Sequence, residues 1–91
     1  MEKPLDRCLD EVFNTPGVTG VLCADAQGLC LSSKGTAHPR AAGVITSLMK
    51  QAAQLEPTAD NLPVLRLESE SCNILIQGKS EITLAVYKTP E

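Results

Sequence analysis

Four cysteines are the residues of this chain whose side chains are most able to do chemistry. Two of them flank a short polar loop in the segment GVLCADAQGLCL, residues 20–31. Structural zinc sites usually take two ligands from a C-x-x-C pair, and the sequence contains no such pair. The single histidine, His38, has no partner at metal spacing. We therefore predict no metal site. The four cysteines are Cys8, Cys23, Cys30 and Cys72.

Thiol chemistry at Cys23 and Cys30 is the second possibility. A catalytic thiol needs a neighbouring base, whereas Cys23 lies in an apolar run, where a buried cysteine behaves as a small hydrophobic residue. No secretory signal is recognisable, so the expected compartment is the cytosol, where thiols stay reduced. Asp25 and Gly28 favour a bulged turn between the two cysteines, which would shift them out of direct opposition. We expect both side chains to pack, and keep a thiol-based redox protein as the alternative.

Phosphate, nucleic-acid and membrane binding are not expected either. The six glycines form neither G-x-G-x-x-G nor G-x-x-x-x-G-K-[ST]. Eight Lys and Arg residues are spread along a chain of net charge −3, so there is no basic stripe. Phe13 and Tyr87 are too few aromatic residues for a base-stacking platform. No apolar run is long enough to span a bilayer. We predict no cofactor, no nucleic acid and no direct membrane insertion.

Hydrophobic periodicity predicts one α+β domain covering residues 1–91, with the element order α-β-β-α-β-β-β. Short connections between the strands indicate a mainly antiparallel five-stranded sheet with two helices. A linker is expected at Pro57–Leu62. The predicted helices cover residues 3–14 and Arg40–Leu55, and the predicted strands cover Val18–Ala24, Leu29–Ser33, Pro63–Glu68, Cys72–Gln77 and Ile82–Tyr87.

Strand patterns predict how the sheet is buried. Val18–Ala24 is apolar at four consecutive positions, which is typical of a central strand buried on both faces. The last three strands alternate apolar and polar residues, so each is expected to bury one face and leave the other wetter. The expected wetter positions are Arg66, Glu68, Asn73, Gln77, Thr83 and Tyr87.

The second helix has a wider apolar arc than one sheet requires. Its apolar residues cover roughly half of the circumference, whereas a helix lying on one sheet needs an arc of about 100°. Loops or the first helix would cover the surplus in one interpretation. In the other, part of the arc meets another protein.

Seven short segments, in their order and spacing, resemble a family of small Ragulator subunits in the roadblock superfamily, known for binding the hepatitis B virus X protein. The resemblance covers nearly the whole chain. The segments are GVLCADAQGLCL (20–31), GT (35–36), AGVI (42–45), QAAQL (51–55), PVLRLES (63–69), NILIQ (73–77) and ITLAVYK (82–88).

This resemblance implies a roadblock-like fold that pairs through its second helix and third strand. Two five-stranded sheets then join into one, and the expected partner is another roadblock-fold subunit in a heterodimer. The edge strand would contribute Val64, Leu65, Arg66 and Leu67, and the helix would contribute the flank of Val44, Leu48, Gln51 and Leu55. The opposite flank, which the sequence does not rule out, consists of Ala42, Thr46, Met49 and Ala53.

The function that the resemblance implies is that of a non-enzymatic scaffold subunit. Such a complex is held on the lysosomal surface by a lipidated scaffold subunit, recruits Rag GTPases and supports amino-acid-dependent activation of the target-of-rapamycin kinase. The family is also associated with viral X protein and with suppression of apoptosis. The alternatives are a roadblock light chain of a dynein-type or other small-GTPase-regulating complex and, on the residues alone, a redox protein using Cys23 and Cys30.

Overall fold

A computed structural model describes residues 4–55, 64–79 and 81–90. Their order is α-β-β-α-β-β-β, and the strands form one antiparallel five-stranded sheet, as predicted. The predicted linker Pro57–Leu62 and Pro63 lie outside the described residues. The elements are α1 (Pro4–Phe13), β1 (Val18–Ala24), β2 (Cys30–Gly35), α2 (Ala42–Ala53), β3 (Val64–Glu68), β4 (Asn73–Lys79) and β5 (Ile82–Lys88), with a 3₁₀ turn at Pro39–Ala41 before α2.

The second helix is shorter at both ends than predicted. Residues Pro39–Ala41 form the 3₁₀ turn, in which the backbone N–H of Arg40 donates to Nδ1 of His38 at 3.2 Å. At the other end, Gln54 and Leu55 donate to carbonyl groups three residues back, which is the pattern of a tightening turn. Leu55 therefore follows α2 instead of belonging to it.

The β1–β2 hairpin has the bulged turn that the sequence predicts. Asp25 Oδ1 accepts hydrogen bonds from the N–H groups of Gln27 and Leu29, each at 2.9 Å. Gly28 has a φ of +89°, which glycine adopts without strain. Because Leu29 is held in this turn, β2 begins at Cys30, one residue later than predicted, and continues to Gly35.

The strand order is β2-β1-β5-β4-β3, and the two helices lie on opposite faces of the sheet. The four residues from Val21 to Ala24 are fully buried, which confirms that β1 is covered on both faces. The α1 face is centred on Leu9, Val21 and Cys23. The α2 face is larger and contains Leu22, Ala24, Ala37, Ala42, Ile45, Met49, Ile76 and Ala85.

The prediction of a wet face on the last strands was wrong for two of the six positions, whereas Arg66, Glu68 and Gln77 are exposed as predicted. Thr83 and Asn73 are buried, although their positions were expected to be wetter. In β5, Ala85 belongs to the α2 core, whereas Leu84 and Val86 pack against the α1 core. For β5 the reason is that a helix covers each face of the sheet, so this strand has no solvated side. In the described part of the chain, no helix has the length and apolar character needed to cross a membrane.

Candidate partner interface

The strand β3 forms one edge of the sheet. It pairs with β4 on its inner side, and no strand among the described residues pairs with its outer side. An edge strand of this kind presents backbone N–H and C=O groups that can pair with another chain. Val64, Arg66 and Leu67 are exposed, and Leu65 is half-buried against the core under α2. The four strand residues predicted for the interface therefore lie on an accessible edge.

The helix flank predicted for the interface is also accessible. Val44, Gln51 and Leu55 are exposed and Leu48 is half-buried. At 100° per residue, the positions of Val44, Leu48 and Gln51 share one side of α2, and Leu55 follows the end of the helix. Leu48, Gln51 and Leu55 line a groove together with Leu65 and Leu67. The edge strand and the helix flank thus form one continuous surface, which we call the β3–α2 surface.

The alternative flank of α2 belongs to the chain's own interior. Ala42, Thr46 and Met49 are buried, and Ala53 is half-buried. Thr46 Oγ1 is buried without a hydrogen-bond partner among the described residues. The wide apolar arc of the helix therefore has two uses: one flank packs on the sheet, and the other faces solvent. Only the solvent-facing flank is free to meet a partner without rearrangement.

The charged side chains of β3 lie on one face of the strand. The β3–α2 surface is uncharged on its α2 side, where Leu65 and Leu67 lie with the amide side chain of Gln51. Arg66 lies on the opposite face and contacts Glu68, with Arg66 Nε and Glu68 Oε1 2.9 Å apart. Both side chains are more than half exposed, so this ion pair contributes little stability.

Cys23 and Cys30 are placed as packing residues. Cys23 is fully buried in the α1 core, whereas Cys30 packs against the α2 core, so the two thiols lie on opposite faces of the sheet. Cys23 stands opposite Ser32, and Cys30 stands opposite Ala24. A cross-strand disulfide between them would require the hairpin to rearrange. Within the described ranges, no three His, Cys, Asp or Glu side chains are grouped to hold a metal ion.

Tyr87 has a shifted pKa, and the Cys72 thiol lies near it. Partial burial raises the pKa of the Tyr87 hydroxyl above its ordinary value, and the nearby Cys72 thiol adds to the rise. The Cys72 thiol donates to its neighbour's carbonyl oxygen, Asn73 O, at 3.5 Å. The raised pKa means that this environment favours the neutral form of the Tyr87 hydroxyl over the charged one.

Sequence reasoning missed a second apolar patch at the opposite edge of the sheet. Leu29 and Leu31 are 65% and 44% exposed in the turn before β2 and on β2 itself. They flank Cys30, which packs inward. The sequence position of Cys30 could have indicated this patch. In a strand, neighbouring side chains point to opposite faces, so an inward-facing Cys30 directs Leu29 and Leu31 away from that core.

Comparison with known proteins gives close relatives over the full chain. Residues 1–88 match the family model of the Ragulator complex protein LAMTOR5. The chain is 50% identical over 91 residues to the Ragulator complex protein LAMTOR5 homolog of Ixodes scapularis, covering 100% of this chain and 99% of the relative. It is 46% identical over 90 residues to the homolog of Nematostella vectensis, covering 99% of both chains. The Xenopus laevis LAMTOR5 is 39% identical over 88 residues, with 97% of both chains covered.

Solved structures share the fold at much lower identity. The Roadblock/LC7 domain from Streptomyces avermitilis superposes with a TM-score of 0.79 at 18% identity, covering 98% of this chain and 81% of that one. The gliding protein MglB from Thermus thermophilus gives a TM-score of 0.76 at 14% identity, covering 92% of this chain and 70% of that one. At these identities the likeness establishes the roadblock fold alone.

Proposed function

The chain belongs to the Ragulator complex protein LAMTOR5 family, and from this premise we propose that it is a non-enzymatic scaffold subunit of a Ragulator-like complex. It pairs with another roadblock-fold subunit through the β3–α2 surface. In the assembled complex, a lipidated scaffold subunit holds the pair on the lysosomal surface. The complex recruits Rag GTPases and supports amino-acid-dependent activation of the target-of-rapamycin kinase.

The observation that carries this proposal is the continuity of the β3–α2 surface. An open sheet edge adjoins an uncharged helix flank, so one partner can satisfy the backbone groups of β3 and cover the apolar side chains of α2 together. Complete burial of an exposed Val or Leu side chain contributes about 1.5–3 kcal/mol. Val44, Leu55 and Leu67 are exposed in the chain alone and are available for that gain.

A substitution on the edge strand tests the pairing. Leu67→Asp places a carboxylate on the β3–α2 surface, and we expect it to abolish pairing because an unpaired buried charge costs several kcal/mol. Leu67 suits this purpose better than Leu65, which packs into the core. Leu31→Asp is the matched control, since Leu31 is 44% exposed and Leu67 is 42% exposed, each on an edge strand.

The measurement is affinity purification of each tagged chain from gently solubilised cells, followed by mass spectrometry of stoichiometric partners. The wild-type chain and Leu31→Asp should recover a roadblock-fold subunit, a lipidated scaffold subunit and Rag GTPases. Leu67→Asp should lose the roadblock-fold subunit. Recovery of dynein components in place of these proteins would overturn the function, and full recovery by Leu67→Asp would remove β3 from the interface.

Two further expectations follow from the family resemblance alone. One is binding of the hepatitis B virus X protein, and the other is a role in suppressing apoptosis. We assign no described residue to either of them. Pull-down of purified X protein on the wild-type chain and on Leu67→Asp would tell whether such binding uses the β3–α2 surface.

A further inference from the structure

Arg66, at the centre of β3, carries a positive charge that affects which partner strand can pair with this edge. This inference rests on the proposed function, because it concerns the same pairing edge. We propose that Arg66 selects the partner: it disfavours pairing between two copies of this chain and favours a partner strand with an acidic side chain opposite it.

The residues of β3 alternate between the faces of the sheet. Leu65 and Leu67 stand opposite Ile76 and Ile74 of β4, which pack on the α2 side. Arg66 therefore points to the α1 side, as do the other two strand residues. Val64 lines a groove there with Val12 of α1. The α2 side of β3 is therefore apolar, and both charged residues of the strand, Arg66 and Glu68, lie on the α1 side beside Val64.

Symmetry restricts how two copies could join at this edge. If their sheets merge with both α2 helices on one face, the twofold axis is perpendicular to the sheet and the β3 strands run antiparallel. Such an axis keeps every side chain on its own face, so even positions meet even positions. Near the middle of the strand, the axis can pass at Leu65, Arg66 or Leu67.

Only the axis at Arg66 pairs all five residues of β3. Each Arg66 then stands directly opposite its own copy, with the Cβ atoms roughly 5 Å apart, and like charges in that position destabilise a sheet. Glu68 already contacts Arg66 of its own strand and in this register stands opposite Val64 of the other copy. The repulsion at the axis is weakened by this ion pair but is not removed.

Shifting the register avoids the repulsion at a different cost. An axis at Leu67 sets Arg66 opposite Glu68 of the other copy, which is attractive, but it pairs three residues of each strand instead of five. An axis at Leu65 also leaves three pairs. A different subunit with an acidic residue opposite Arg66 keeps all five pairs and gains an opposite-charge pair.

The test uses the full chain with two substitutions at one exposed position. Arg66→Thr removes the charge and keeps a residue that suits strands. We expect it to self-associate up to about fivefold more tightly than the wild type, measured by sedimentation velocity over a concentration series. Raising the ionic strength should reduce this difference, because salt screens exposed charges.

Arg66→Glu provides the charge-complementary arm. In an equimolar mixture of wild type and Arg66→Glu, the axis register sets Arg66 opposite the introduced glutamate. We expect mixed dimers to exceed the half that random pairing gives, measured by native mass spectrometry. Mixed dimers at or below half, or none at the highest concentration reached, would overturn the proposal, as would Arg66→Thr associating no more tightly than wild type.

Leu67→Asp separates this inference from the function on which it rests. If Leu67→Asp loses the roadblock-fold partner while the Arg66 variants behave like wild type, the pairing surface stands and the selective role of Arg66 fails. If Leu67→Asp keeps that partner, the β3–α2 surface itself fails. Thermal unfolding of each variant alone checks that the fold is intact.

Discussion

At the residue scale, a close backbone approach joins the end of β2 to the start of β1. Gly35 has a φ of +65°, and a Cβ at that position would collide with the carbonyl oxygen of Thr19 and lie 2.7 Å from Phe13 Cε1. The N–H of Thr36 donates to that same carbonyl oxygen at 2.9 Å. This contact directs the chain from β2 towards α2, so it positions the helix that carries the proposed interface flank.

We therefore expect Gly35→Ala to destabilise the fold by on the order of 3 kcal/mol, because the new methyl group meets both a left-handed backbone and a fixed carbonyl oxygen. Urea denaturation measures the free energy of unfolding. Gly43→Ala is the control: a Cβ on Gly43 meets no atom within 4 Å, and alanine favours the helix by up to about 1 kcal/mol. Equal stability of Gly35→Ala and wild type would contradict the argument.

At the scale of elements, helix α2 shows how far a sequence pattern reaches. The periodicity predicted that its apolar arc is too wide for one sheet, and this agrees with an exposed Val44 and a buried Met49 on different flanks. The pattern did not indicate which flank is exposed, because angles around a helix say nothing about its orientation on the sheet. That orientation comes from packing against residues distant in sequence, such as Ile76 of β4.

The strands show the same limit. Alternation in β5 predicts the side-chain period correctly, but it also predicts a wet position for the buried Thr83, because a strand pattern does not show that the two helices cover opposite faces of the sheet. The apolar edge at Leu31 was missed for a related reason: local alternation does not reveal which strands become edges. The pairing role proposed for β3 came from the family resemblance, since its composition alone indicates an ordinary strand.

The helix flank makes a prediction of its own. Val44→Asp should weaken pairing at least about tenfold, because the carboxylate would be buried against the partner. The chain alone should keep its stability, since Val44 lies in the first turn of α2, where a negative charge is favourable. Isothermal titration with the co-purified roadblock-fold subunit measures the change.

Leu29→Asp is the comparison for this variant, because Leu29 and Val44 are 65% and 63% exposed. It should pair as the wild type does. Equal weakening by both substitutions would indicate a general effect of added negative charge on a chain of net charge −3, and unchanged pairing of Val44→Asp would remove the helix flank from the interface.

At the scale of the whole molecule, burial is concentrated in the middle of the sheet. The interior strands β1 and β5 are covered on both faces, whereas large apolar side chains remain exposed at the two edges of the sheet, on α2 and just after it. A chain of 91 residues has little surplus core with which to offset such exposure. The exposed large side chains are Leu29, Leu31, Val44, Leu55, Val64 and Leu67.

A partner that covers the β3–α2 surface should therefore raise the stability of this chain substantially. Because the partner binds the folded chain only, a partner present at 100 times Kd adds about 2.7 kcal/mol. One kcal/mol shifts the Tm of a domain of this size by about 4–8 °C, so we expect the purified heterodimer to melt about 10–20 °C above the chain alone. Calorimetry over a tenfold dilution measures this, since the Tm of a heterodimer falls on dilution. Leu67→Asp should melt like the unpaired wild-type chain even with the partner present. A mixture of Leu67→Asp and the partner that melts as high as the wild-type heterodimer would mean that the partner binds elsewhere on the chain.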